Sequence, residues 1–154
     1  YELAQMDCLN IKHIVFAASF LSRPSNLSKF GSIAPLVVLR LKLVPSFFLS
    51  WLFFGSFKRN DLVQLFSEAL KLVSNSTLKA RLKIIASLKE PNKQINVPCT
   101  YIQATKDKLV NPKSIIVFQK LCVNLNTELV NGGHFIAQSN PIKCAEVVVE
   151  ASGL

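Results

Sequence analysis

The last third of the chain constrains the fold most. A β-rich run, CTYIQA (99–104), leads to the pair Asn111-Pro112 and a helical stretch to about Leu121. A second β-rich run, NTELVN (126–131), leads to a second Asn-Pro pair, Asn140-Pro141, and another helical stretch. Asn before Pro is a helix-start signal. The amide oxygen caps a free backbone N–H, and proline's fixed φ and missing N–H suit the first helical position. Strand, helix, strand, helix with short links predicts a βαβα unit. Its strands pair in parallel and its crossover is right-handed. In open parallel sheets, chemistry gathers outside the carboxyl ends of the strands.

Upstream, HIVFAASF (13–20) is a short apolar run with β-branched and aromatic members, and it reads as a buried strand. Tyr1 to Asp7 reads as the tail of a helix. Pro35 and Pro45 interrupt the apolar pattern of 27–57, which predicts short helices with breaks. In NDLVQLFSEALKLVS (60–74), Leu62, Leu65, Phe66, Ala69, Leu70 and Val73 recur at helical spacing, with Asn60 or Asp61 as the cap. A second helix follows, capped by Ser76 or Thr77 and running to Leu88. In the last helix Ile142, Ala145, Val148 and Val149 fall on one side.

The chain has 154 residues, enough for one domain with a core but not for two. Half of them are hydrophobic and 18% are charged, which favours a buried globular body over disorder. The net charge of +9 can attract nucleic acid or anionic lipid. The basic residues are scattered, however, and the densest group, Lys79, Arg81 and Lys83, reads as a solvated helix face or a binding patch. No zinc-finger spacing or RNA-binding aromatic motif accompanies it, so no nucleic-acid partner is expected. Cys8, Cys99, Cys122 and Cys144 form no C-x-x-C pair. Reduced thiols in a reducing compartment, the cytoplasm, are expected. The apolar run 43–57 spans 15 residues, contains Pro45 and lies between Arg40 and Lys42 on one side and Lys58 and Arg59 on the other. A spanning helix needs about 20 apolar residues. An interfacial or lid segment fits better, and contact with a membrane surface stays open.

Two polar residues stand just past the predicted strand ends. Asp107 lies three residues after the first strand, and His134, one of two histidines, three after the second. If the strands are neighbours, equal overshoot puts both side chains on one rim of the sheet. A carboxylate there can accept the imidazole Nδ1–H, fix the tautomer and stabilise the imidazolium formed when Nε2 takes a proton. Gly132 and Gly133 allow the tight turn that projects His134 over the rim. Spacing alone leaves a second reading: Asp107, between Lys106 and Lys108, as a turn former or surface ion pair, and His134 as an ordinary loop residue.

VPCTYIQATKDKLVNP followed by LVNGGHFIAQSNP resembles the C-terminal part of an α/β-hydrolase. That family carries its acid in a D-x-x-V-x-P loop, here Asp107-Lys-Leu-Val110-Asn-Pro112, and its base in a G-H-F-like turn, here Gly133-His134-Phe135. HIVFAASFLSRP resembles the strand after the family's nucleophile helix, and YELA resembles that helix cut partway along. The resemblance is strongest over 97–141. It implies a partial α/β-hydrolase fold: a short parallel sheet, flanking helices and a helical cap at 24–95. It also implies Asp107 as orienting acid, His134 as general base, and neither metal nor dissociable cofactor. The expected substrate is a small ester or thioester with an apolar group, for which the phenylalanines of the cap and Trp51 are either core or pocket. The family's G-x-S-x-G elbow is missing from these residues. Ser32 and Ser56 follow glycines, but neither has the second glycine. The elbow is expected a few residues before Tyr1, and this chain alone is expected to be inactive. The alternative from another class is a non-catalytic, basic, membrane-associated or partner-binding remnant.

Overall fold

The computed structural model describes residues 1–6, 8–24, 44–56 and 58–153. The expectations for 27–43, including Phe30, Ser32 and Pro35, and for Asp7 and Phe57, lie outside the described residues.

Three parallel strands form the sheet in the order β1 (Ile14–Ala17), β2 (Cys99–Ala104), β3 (Leu125–Val130). Between β1 and β2 the described residues form three helices, α1 (Ser46–Phe54), α2 (Asn60–Lys71) and α3 (Asn75–Ser87). Between β2 and β3 runs α4 (Ile115–Leu121), and after β3 come the short α5 (Ile136–Ser139) and α6 (Pro141–Ser152). Both Asn-Pro starts form as expected. Asn111 Oδ1 accepts the Lys113 N–H at 2.9 Å, and Asn140 Oδ1 accepts the Lys143 N–H at 3.4 Å. The first turn after Pro112 is a 3-10 turn, Pro112–Ser114, that leads into α4.

β2 is the central strand, and every residue of it but Gln103 is buried. Its side chains alternate between two faces, as the strand period requires. Cys99 and Tyr101 join Ile95, Phe118 and Cys122 under α4, where Phe118 stacks at 4.9 Å on Phe16 and 4.7 Å on Tyr101. Ile102 and Ala104 join Ala18, Val130, Ile136, Cys144 and Val147 under α6. A third cluster, Leu49, Phe53, Phe54 and Val63, holds α1 against α2. Here Ser50 is fully buried. Its Oγ donates to the Ser56 carbonyl and accepts the Arg59 N–H at 2.9 Å, which ties the end of α1 to the start of α2.

Several expectations change. The first strand covers only Ile14–Ala17 and is half-buried rather than buried, because it is a sheet edge among the described residues. The segment from Tyr1 holds a single 3-10 turn, Glu2–Gln5. The N-cap of α2 is Arg59, not Asn60 or Asp61, because the Ser50 hydroxyl on α1 takes its N–H. Ser74, not Ser76 or Thr77, caps α3 by accepting the Thr77 N–H at 3.1 Å. On α2 the fully buried residue is Val63, while Leu65 is 58% exposed. On α6 the side carrying Ile142, Val148 and Val149 points outward: Ile142 is 74% exposed and Val148 and Val149 are nearly half exposed, whereas Cys144 and Val147 are buried. Valines surround α6, so its periodicity alone does not choose a face.

Cys99, Cys122 and Cys144 are buried, Cys8 is exposed, and all are free thiols. Burial pushes the Cys99 thiol up to about 12, and the neighbouring Cys122 adds to the shift. Within the apolar run 43–57, α1 buries Leu49, Phe53 and Phe54 and leaves Phe47 and Phe48 exposed. Among the described residues no helix is long and apolar enough to cross a membrane.

Phe118→Ala empties the centre of the α4 face and is expected to cost about 3–5 kcal/mol by urea denaturation. Leu72→Ala, at a side chain 88% exposed, is expected to stay within about 0.5 kcal/mol of the parent.

Candidate active site

The β2–β3 pairing continues beyond the strands. Thr105 N–H donates to the Val130 carbonyl at 3.0 Å, and Lys106 N–H donates to the Gly132 carbonyl at 2.9 Å. The loop after β2 and the loop after β3 therefore leave the sheet side by side. Asp107, three residues past the end of β2, and His134, four past the end of β3 rather than the expected three, then meet, with His134 Nδ1 lying 3.0 Å from Asp107 Oδ2. The other carboxylate oxygen, Oδ1, accepts the N–H groups of Leu109 at 2.8 Å and Val110 at 3.0 Å. Asp107 is thus a turn former as well as the partner of His134, and the two sequence readings describe different oxygens of one side chain.

The Asp107 side chain is 7% exposed and that of His134 is 21% exposed. Burial works to raise the Asp107 pKa. The hydrogen bond from His134 and the N–H groups of Val110 and Leu109 outweigh it and hold the carboxyl below its usual range. Tyr101, on the strand that leads to Asp107, donates its hydroxyl to the Ser19 carbonyl at 2.9 Å. Burial pushes Tyr101 up to about 12, with the Asp107 charge contributing.

Gly132 and Gly133 serve a purpose other than the expected one. Among the described residues, positive φ at glycine occurs at Gly55 and Gly153, so neither glycine of this turn needs the left-handed region. Space is what both supply. A Cβ on Gly132 would stand 2.5 Å from Ile136 Cδ1, and one on Gly133 would stand 2.7 Å from the Phe53 carbonyl oxygen.

Phe135 is a packing hub that sequence reasoning noted only as part of a motif. Its ring lies 5.6 Å from each of Phe53, Phe54 and Phe66 and 5.4 Å from the His134 imidazole. It lines an apolar groove of about 230 Å³ together with Phe54, Leu62, Leu65, Phe66 and Ala69. A second cavity of about 190 Å³ lies at the end of β1, bounded by Ala17, Ala18, His134 and Phe135. Ala18 at this rim has φ 43°, a strained conformation for a residue with a Cβ. Trp51 lies beneath the Lys108 ammonium, which is 5.5 Å from its ring centre. Among the described residues no serine, threonine or cysteine is hydrogen-bonded to His134, and no group of side chains is arranged to hold a metal ion. Ser56 lies between α1 and α2, where its carbonyl accepts the Ser50 hydroxyl. The other histidine, His13, pairs with Thr100 Oγ1 at 2.9 Å.

No protein-family model matches the chain, and no curated protein matches it. Solved structures do. An α/β-hydrolase enzyme from a Medee basin deep-sea metagenome library matches at a TM-score of 0.69 and 20% identity, over 99% of this chain and 60% of its own. An esterase from Exiguobacterium antarcticum matches at a TM-score of 0.72 and 14% identity, over 96% of this chain and 59% of its own. The type II thioesterase BorB of the borrelidin biosynthetic cluster matches at 0.61 and 15% identity, over 97% of this chain and 59% of its own. The chain therefore has an α/β-hydrolase fold, with a short parallel sheet and flanking helices. It spans about 60% of the length of these neighbours, consistent with a C-terminal part of that fold.

Asp107→Asn tests the electrostatics of the pair. A carboxyl held below its ordinary value of 3.8 adds stability that is present above that pH and is lost as pH falls through the lower, folded value. The parent is expected to lose stability progressively on acidification below 3.8. Asp107→Asn should be less stable at neutral pH and show a smaller fall over the same acid range, as measured by urea midpoints at a series of pH values.

Proposed function

We propose that this chain supplies the orienting acid and the general base of a serine-hydrolase site that cleaves an ester or thioester with an apolar acyl or alcohol group. The observation that carries this reading is the 3.0 Å contact between His134 Nδ1 and Asp107 Oδ2 on the carboxyl rim of a parallel sheet. With Nδ1–H held by the carboxylate, Nε2 is the acceptor nitrogen. It takes the proton of an attacking hydroxyl and returns it to the leaving alcohol or thiol, and a water then repeats the cycle on the acyl intermediate. Asp107 keeps the ring in the required tautomer and balances the imidazolium. The hydrolase and esterase neighbours support the reaction class.

The helical segment 24–95 is the lid in this proposal. The groove between α1, α2 and Phe135 is the place for the apolar group, since aromatic and aliphatic side chains line it with Gln138 as the one polar member. The nucleophile is not among these residues, because the sequence contains no G-x-S-x-G elbow. Without the elbow there is no acyl intermediate, and the chain alone is inactive.

A p-nitrophenyl ester assay tests the proposal in two steps. The 154-residue chain should give no turnover that depends on His134. A longer form carrying an upstream elbow should hydrolyse p-nitrophenyl butyrate. There, His134→Ala and Asp107→Asn should each lower kcat on the order of 10³-fold or more. Turnover by the chain alone that vanishes in His134→Ala would overturn the claim of a missing nucleophile. A longer form that accepts only short, charged esters would overturn the assignment of the groove.

A further inference from the structure

α1 ends against the base. The helix stops at Phe54, and Gly55 follows with φ 69°, a left-handed cap that leaves the last helical carbonyls without intrahelical donors. Two of those carbonyls are taken by the loop that carries His134. Phe54 O accepts the Gly133 N–H at 3.1 Å, and Phe53 O accepts the Phe135 N–H at 3.1 Å. The two donors are the residues immediately before and after His134, so one helix end grips the backbone on both sides of the imidazole.

The acid loop meets the same point. A Cβ on Gly55 would stand 2.7 Å from Lys106 Cβ and 3.0 Å from Gly133 N, and Lys106 is the residue before Asp107. A Cβ on Gly133 would fall on the backbone of Phe53, Phe54 and Gly55. The end of α1, the acid loop and the base loop thus converge where two glycines have no Cβ to keep them apart. Phe135 extends the grip by stacking on Phe53 and Phe54 from the same helix and on Phe66 from α2.

We propose that the end of α1 is a positioning element for the base, with Gly55 and Gly133 as its positioning residues, so that the seating of the lid and the alignment of His134 on Asp107 form one conformational unit. The inference rests on the proposed acid–base pair and goes beyond it: displacing the lid helix loosens the base. A lid that merely covered a pocket could shift without any effect on the His134–Asp107 hydrogen bond.

The test is NMR of the chain labelled with ¹⁵N-histidine, whose two histidines give two sets of imidazole signals. The parent should show a downfield His134 Nδ1–H proton that exchanges slowly with water, and Asp107→Asn should abolish the downfield shift. Gly133→Ala, which prises the loop from the helix end, should speed that exchange by about tenfold or more while the methyl signals of the sheet core stay native. Val63→Ala thins the buried α1–α2 packing and should speed it in the same direction. Ile95→Val, in the cluster under α4, should leave it unchanged. If Gly133→Ala unfolds, Val63→Ala decides. Native-like variants with the parent's exchange rate, or an equal acceleration in Ile95→Val, would overturn the coupling while leaving the pair intact. A downfield proton that survives Asp107→Asn would overturn the pair itself, and the coupling with it.

Discussion

The parallel pairing of β2 with β3 is the constraint on which the rest depends. Its register matches Cys99 with Leu125 and Ala104 with Val130, and the ladder runs on through Thr105 and Lys106 into the loops. Because the backbones stay hydrogen-bonded past the strand ends, an aspartate three residues beyond β2 and a histidine four beyond β3 meet. A register shift by one residue would turn every β2 side chain to the opposite face and lose both the core and the pair. Burial of β2 on both faces, by Phe118 on one side and Val130, Ile136 and Val147 on the other, makes that shift costly.

The pair draws its chemistry from how its carboxylate is shared. One oxygen shapes the loop by accepting the Leu109 and Val110 N–H groups, and the other faces the imidazole. A buried carboxylate with donors on both oxygens stays ionised, and an ionised carboxylate is what an imidazole base requires. The same economy appears in the base loop. Gly132 makes room for Ile136 and Ser139, and Gly133 makes room for the end of α1, so two adjacent glycines serve two different neighbours. The helical segment between β1 and β2 is thereby joined to the site by backbone hydrogen bonds as well as by the aromatic cluster around Phe135.

Much of this was legible because the relevant signals are local. Strand 99–104, the Asn-Pro helix starts, and the placement of Asp107 and His134 past two strand ends all follow from residues close in sequence. Errors fell where a distant group intervened. α2 starts at Asn60 as expected, but its cap is Arg59, whose N–H is taken by Ser50, nine residues upstream on another helix. The buried face of α6 is not legible, because Val147, Val148 and Val149 are consecutive and point in different directions, and only the sheet beneath selects Cys144 and Val147. Ala18, with its left-handed backbone at the rim, gave no sign in the sequence, since alanine ordinarily avoids that region.

By itself the sequence determined which segments become parallel strands and helices, and that an aspartate and a histidine stand at the same rim. Periodicity, caps and turn residues act over a few positions and need no knowledge of the whole. Only the tertiary structure decided what the glycines are for, which oxygen of Asp107 meets His134, and that the last carbonyls of α1 hold the backbone on both sides of His134. Those outcomes depend on which surfaces meet, and segments some eighty residues apart in the chain are brought together only when the core closes.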